Sequence, residues 1–191
     1  MKKKKLKIII PAVLFVALLR LILPKGFTSF GLPKKTYLSL TDEQKAKIIE
    51  NLCENIDSPE IRAAVGYCLE HLGDEYSQQK RMSDGYKDCS SLIFLAYKSA
   101  GVDISNGDMT YARAIFGGLE NEYAVSVKDK SDFLPGDLIF YGGADNGRYK
   151  GISHVAIYVS DGMIIDATPA RNVSYRPLTM KNNMFIARVC K

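Results

Sequence analysis

In the run Asp88-Cys89-Ser90-Ser91-Leu92-Ile93-Phe94-Leu95-Ala96-Tyr97, a polar loop ends and an apolar helix begins. Asp88 is a suitable N-cap, because its carboxylate can accept a hydrogen bond from an unpaired amide of the first turn. Cys89 then lies in that turn, where free N–H groups and the helix dipole favour the thiolate, the nucleophilic form of cysteine. The alternative is that Cys89 is only a small apolar residue at the start of a buried helix.

Composition and charge limit the possible functions. The 191 residues are enough for one globular domain, and the four cysteines form no C-x-x-C pair, which argues against a structural zinc site and against a disulfide-rich scaffold. The net charge of +5 is misleading, because residues 1–40 hold nine Lys/Arg and no acidic residue, while the remainder carries 17 basic against 21 acidic residues. The basic excess is therefore a terminal feature and does not indicate a nucleic-acid-binding face.

The N-terminal pattern predicts export of the chain. Lysines precede an apolar run from Ile8 to Leu19, which continues past Arg20 to Leu23. A basic flank before an apolar run directs the following chain across the membrane. We therefore predict that residues 1–25 form an uncleaved signal anchor, with a cleaved signal peptide as the alternative. Residues 26–40 are predicted to be a linker, and residues 41–191 the folded domain.

The remaining pattern places helices first and strands last. Capping signals at Thr41 and Ser58-Pro59 predict two helices before the Cys89 helix, and His71 is predicted to be a structural residue at the end of the second one. Residues 74–87 are predicted to be a loop, with a short helix near residues 111–116. Period-two alternation then predicts strands at 138–141, 154–159, 163–168 and 184–189. This order predicts an α+β fold with a largely antiparallel sheet.

Residues 152–168 resemble a β-hairpin whose turn length determines which side chains share a face. A two-residue Asp161-Gly162 turn would place Asp166 on the apolar face of the hairpin, opposite His154. A three-residue loop from Ser160, with Gly162 left-handed, would pair Val159 with Met163 and bring His154 and Asp166 together. We prefer the three-residue loop because burying an unpaired carboxylate is costly. Cys89, His154 and Asp166 would then provide a nucleophile, a base and a residue that orients the base.

Three blocks of sequence together resemble the NlpC-type family of papain-like cell-wall peptidases. They are Asp88-Cys89-Ser90-Ser91-Leu92, Leu134-Pro135-Gly136-Asp137-Leu138-Ile139-Phe140 and Ser153-His154-Val155-Ala156-Ile157-Tyr158. The resemblance implies a papain-like α+β fold in which the nucleophile helix packs on a small antiparallel sheet. It also implies a cysteine endopeptidase that hydrolyses peptide bonds in peptidoglycan stem peptides, often between D-γ-glutamate and the diamino acid. No cofactor or metal is expected.

The resemblance also assigns roles to individual residues. Cys89 matches the family nucleophile, His154 matches the general base, and Asp166 occupies the position of the orienting residue, which is usually His in the family. Tyr76 resembles a family tyrosine that lies against the nucleophile. Asp88 and Ser90 match positions that hold the free amine of an N-terminal L-alanine in relatives. The simplest oxyanion donor is the backbone N–H of Cys89.

Two other functions stay open at this point. One is an amidase or acyltransferase on the same Cys–His scaffold. The other is a membrane-anchored, wall-binding protein with little catalytic activity, which the Asp at position 166 and the altered loop after Tyr76 would allow. In each case we expect an extracytoplasmic protein that is anchored to the membrane or secreted to the cell wall, with peptidoglycan as its partner.

Overall fold

A computed structural model describes residues 42–54 and 56–190 of the chain. The predicted signal anchor (residues 1–25), the predicted linker (residues 26–40) and the capping residue Thr41 lie outside the described residues. Among the helices that the structure describes, none combines the length and the apolar character needed to cross a membrane.

Helices come mainly first and strands mainly last along the described chain. The helices are α1 (Asp42–Cys53), α2 (Pro59–Glu70), α3 (Cys89–Ser99) and α4 (Ala112–Tyr123). The strands are β1 (Glu75–Tyr76), β2 (Tyr86–Lys87), β3 (Ala124–Val125), β4 (Leu138–Tyr141), β5 (His154–Ser160), β6 (Met163–Thr168), β7 (Asn172–Pro177) and β8 (Met184–Ala187). The α+β fold with helices on an antiparallel sheet is therefore confirmed.

Local capping explains where α2 and α3 begin. The Ser58 hydroxyl accepts a hydrogen bond from the Ile61 amide, and Pro59 occupies the first helical position. Asp88 and Ser91 form a reciprocal capping box, in which each side chain accepts a hydrogen bond from the other residue's amide, at 2.7 and 2.9 Å. Cys89 is thereby held as the first residue of α3, as the sequence predicts.

The main sheet has the order β3-β8-β4-β5-β6-β7, and its described pairs are all antiparallel. The strands predicted from period-two alternation correspond to β4, β5, β6 and β8. Strand β7 lies in a segment for which no strand is predicted, and α4 extends well beyond the predicted residues 111–116. Residues 74–87, predicted to be a loop, contain the short parallel pair β1 and β2.

The β5–β6 hairpin corrects the predicted turn. Ser160 pairs with Met163 across a two-residue Asp161-Gly162 turn, in which both residues have positive φ, so the predicted pairing of Val159 with Met163 is wrong. Asp-Gly suits this tight turn because both positions require a left-handed backbone. A β-bulge between Tyr158 and Ser160 then shifts the register by one residue, and Tyr158 pairs with Ile164. Beyond the bulge, the register is the one that brings His154 and Asp166 onto the same face.

A turn at Gly136 joins the helical layer to the sheet. Gly136 has a φ of +87°, and a Cβ atom there would lie 2.8 Å from Cγ2 of Ile61 on α2. The buried Tyr97 hydroxyl of α3 donates a 2.6 Å hydrogen bond to the Gly136 carbonyl. Next to it, the fully buried Asp137 accepts two hydrogen bonds from Arg188, at 2.7 and 2.8 Å. These contacts position β4 relative to α3.

Candidate active site

The nucleophile candidate and the base candidate come from the starts of two packed elements. Cys89 is the first residue of α3 and His154 the first residue of β5, and α3 packs on both β5 and β6. Cys89 is 8% exposed, and the His154 side chain is 21% exposed. Both groups are therefore largely covered by the protein and keep a small accessible surface. The other histidine, His71, caps α2 and bonds through Nδ1 to the Tyr67 carbonyl at 2.8 Å.

His154 makes a short hydrogen bond with Asp166. The distance from His154 Nε2 to Asp166 Oδ2 is 2.7 Å, which leaves Nδ1 as the ring nitrogen available to Cys89. Burial of the ring lowers the pKa of His154, but hydrogen bonding with Asp166 and Cys89, together with their negative charge, outweighs burial and raises that pKa to about 9. At neutral pH the His154 imidazole is therefore protonated.

Asp166 is fully buried and is also bound by a residue that the sequence analysis did not identify. Arg176 donates from Nε to Asp166 Oδ1 at 2.9 Å and from Nη2 to Oδ2, so the pair is bidentate. Ser174, directly opposite Asp166 in the sheet, donates a weaker bond at 3.5 Å. Burial raises the pKa of Asp166, but the hydrogen bonds and charges of His154 and Arg176 outweigh it and lower that pKa. The carboxylate is therefore ionised despite its burial.

Tyr76 and Asp88 lie next to the nucleophile. The Tyr76 amide donates a 2.9 Å hydrogen bond to Asn172 Oδ1, which ties β1 to the start of β7. The pKa of Tyr76 is raised first by burial and then by the nearby negative charges of Cys89 and Asp88. The three residues therefore lie close together, at the edge of the group formed by Cys89, His154 and Asp166.

A second arginine that the sequence analysis did not identify binds the two predicted amine-binding residues. Arg81 donates from Nε to Asp88 Oδ2 at 2.6 Å and from Nη2 to the Ser90 hydroxyl at 2.9 Å. It also donates to Thr110, from Nη1 to the hydroxyl at 2.9 Å and from Nη2 to the carbonyl at 3.0 Å. Arg81 comes from the polar stretch between β1 and β2, where no periodicity in the sequence could indicate its partner.

Other features of the described residues lie away from this group. Cys53, Cys68 and Cys190 are not disulfide-bonded. No set of three His, Cys, Asp or Glu side chains in residues 42–54 and 56–190 is arranged to hold a metal ion. One surface groove, of 680 Å³, lies beside β3 and β8, and another, of 590 Å³, lies beside the C-terminal end of α3. Neither groove is lined by Cys89, His154 or Asp166.

The chain is similar in sequence and in fold to known proteins. A curated relative, the probable endopeptidase p60 of Listeria grayi, is 28% identical over 120 residues, and the match covers 62% of this chain and a fifth of the relative. An NlpC/P60 family protein from Bacillus cereus superimposes with a TM-score of 0.54 at 28% identity, covering 70% of this chain and 41% of that one.

A second solved structure shows the same fold at lower identity. RipD from Mycobacterium tuberculosis, described as a non-catalytic NlpC/p60 domain protein adapted to peptidoglycan binding, superimposes with a TM-score of 0.52 at 22% identity. The match covers 70% of this chain and 99% of RipD. The model of the NlpC/P60 family matches residues 73–190, more than half of the sequence and every element that carries the Cys89, His154 and Asp166 side chains. The chain therefore belongs to the NlpC/P60 family.

Proposed function

We propose that this protein is a cysteine endopeptidase that hydrolyses peptide bonds in peptidoglycan stem peptides, with the γ-D-glutamyl–diamino acid bond as its target. The observation that carries the proposal is the continuous chain from Cys89 through His154 to the buried, ionised Asp166. A nucleophile, a base with a raised pKa and a fixed carboxylate are the parts that covalent acyl transfer requires. The endopeptidase name of the Listeria relative supports the same class of reaction.

The proposed mechanism follows from these positions. The Cys89 thiolate attacks the carbonyl carbon of the scissile bond, and the Cys89 backbone N–H at the start of α3 donates to the developing oxyanion. The His154 imidazolium then gives its proton to the departing amine, which leaves a thioester on Cys89. His154, now neutral, takes a proton from water as the water attacks the thioester. Collapse of that intermediate releases the carboxylic acid and restores the thiolate–imidazolium pair.

Asp166 and Tyr76 have supporting roles in this proposal. Asp166 accepts from His154 Nε2 and so keeps the other ring nitrogen, Nδ1, directed at Cys89. Tyr76, Asp88 and Ser90 form the edge of the site on which the part of the substrate before the scissile bond would lie. No step of the mechanism uses a cofactor.

The N-terminal sequence supports a location outside the cytoplasmic membrane, where peptidoglycan is found. We propose that residues 1–25 act as a signal anchor, because the lysine cluster and the apolar run that follows it are typical of such segments. Protease protection of the full chain in intact cells, compared with cells whose outer layers are removed, tests this placement. A chain that stays protected in both preparations would contradict it.

Hydrolysis of purified peptidoglycan tests the proposed activity. The full-length wild type is compared with Cys89→Ala, and the products are identified by mass. We expect the wild type alone to release fragments with a new carboxylate and a new amine, and the masses name the bond. Products in which the acyl group has moved to another amine would instead support the acyltransferase alternative. Wall binding without products from either protein would support the non-catalytic alternative.

A further inference from the structure

Arg81 binds Asp88, the acidic residue that precedes Cys89 in the sequence. The Asp88 carboxylate has two oxygens, and both are already in use. Oδ1 accepts from the Ser91 amide at 2.7 Å and from the Ser90 hydroxyl at 3.0 Å, while Oδ2 accepts from Arg81 Nε at 2.6 Å. The Asp88 side chain is only 5% exposed. A substrate ammonium would therefore find no free carboxylate at this position.

The charge of Asp88 is also balanced from within the protein. The Arg81 guanidinium is 12% exposed and stacks 4.7 Å from the centre of the Tyr111 ring, which is itself exposed. Four of its five N–H groups donate to Asp88, Ser90 and Thr110, so the cation is held in place by several contacts. A second cation approaching Asp88 would meet Arg81 at the same carboxylate and be repelled.

We infer that Arg81 takes the place of a substrate ammonium, so that this enzyme prefers stem peptides whose N-terminal alanine is acylated. Stem peptides exist in two forms: detached from the glycan, with a free ammonium on alanine, or attached to it, with that nitrogen in an amide. An amide adds no charge and offers a carbonyl oxygen, which the remaining N–H of Arg81 can bind. The enzyme is therefore built to act on the intact wall and not on released peptides.

This inference rests on the proposed peptidase activity, and one pair of substrates tests both. The full-length protein is given L-Ala-γ-D-Glu-diamino acid and the same peptide with an N-acetyl group on alanine, and kcat/KM is measured for each. We expect the acetylated peptide to be cleaved at least as efficiently as the free-amine peptide. Cleavage of the free-amine peptide with a tenfold or greater advantage would overturn the inference and leave the peptidase proposal intact. Cleavage of neither peptide by the folded protein would overturn both.

Two variants test whether Arg81 is the cause. Arg81→Met removes the internal cation and uncovers the Asp88 carboxylate, so the preference should move toward the free-amine peptide by roughly tenfold or more, the scale of one charge-assisted hydrogen bond. Arg113→Met is the matched control, because Arg113 stacks on the same Tyr111 ring at 5.2 Å but makes no described contact with Asp88. The control should keep the wild-type ratio. A folded Arg81→Met protein with an unchanged ratio would refute the role of Arg81.

Discussion

Replacing Asp166 with Asn should move the alkaline limit of activity to lower pH. The change keeps the size of the side chain and removes the charge that faces His154 Nε2 at 2.7 Å. In the wild type, hydrogen bonding with Asp166 and Cys89 opposes the effect of burial and holds the pKa of His154 at about 9. Without the carboxylate, only Cys89 opposes the effect of burial, which is the largest single cause. The pKa of His154 should then fall toward its ordinary value of 6.5.

The size of the effect follows from the same values. A pKa of about 9 in place of 6.5 corresponds to roughly 3 kcal/mol in favour of the imidazolium, at about 1.4 kcal/mol for each pKa unit. At a pH of about 7.5, His154 is almost fully protonated in the wild type, whereas a group with a pKa of 6.5 is only about one-tenth protonated. The imidazolium form of His154 should therefore be up to about tenfold less populated in Asp166→Asn. Loss of ring orientation adds to this decrease.

The same shift has a consequence for stability. Because the pKa of His154 is higher in the folded than in the unfolded chain, its contribution is fully present below about pH 6.5 and is lost as the pH rises through about 9. Wild-type protein should therefore lose stability, up to roughly 3 kcal/mol, over that window. Asp166→Asn should show a much smaller loss there, which chemical denaturation at several pH values measures.

The assay is the pH dependence of kcat and kcat/KM on a peptidoglycan peptide. Ser174→Ala is the matched control, because it removes only the 3.5 Å contact to Asp166 and keeps the carboxylate, so its alkaline limit should match that of the wild type. The chain has two histidines, so the His154 ring can be followed directly by NMR titration against a His71→Gln variant. An Asp166→Asn protein with unchanged kcat and an unchanged alkaline limit would remove Asp166 from the mechanism.

Two further predictions concern contacts around the site. Arg176→Met removes the bidentate donor of Asp166 and should raise the pKa of that carboxyl, so the acidic limit of kcat should move to higher pH; a profile that overlays the wild type would contradict this. Tyr97→Phe leaves the Gly136 carbonyl without its 2.6 Å donor and should lower the free energy of unfolding by about 1–3 kcal/mol, measured by urea denaturation. Its kcat per folded molecule should be unchanged, and a large loss of kcat would assign Tyr97 more than a structural role.

The features predicted most accurately from the sequence are those set by contacts between residues that are close together in the chain. The starts of α2 and α3 depend on the side chains of Ser58 and Asp88, which bond to amides three residues away, so both could be read from a short pattern. The β5–β6 register is an intermediate case. Avoiding an unpaired buried carboxylate led to the right pairing beyond the bulge, but nothing in the pattern indicated that Val159 would be the extra residue.

The arginines were missed because their roles depend on contacts distant in sequence. Arg176 lies on β7, where apolar and polar residues alternate poorly and where the strand ends at Pro177. Its contact with Asp166 exists only because Asp166 is a diagonal neighbour on β6. Arg81 reaches Thr110, 29 residues away, from a polar stretch with no periodicity.

Asp166 and Arg176 are best understood as one unit. The Asp166 side chain is fully buried, and an isolated carboxylate in that position would take up a proton and lose its charge. Arg176 prevents this by donating to both carboxylate oxygens, Oδ1 and the Oδ2 that also contacts His154. In the proposed mechanism, His154 alone could not keep Asp166 ionised, because it gives up its proton to the leaving amine. The permanent charge of Arg176 keeps Asp166 ionised while His154 is neutral, so the carboxylate is ready to orient the ring when the next proton arrives.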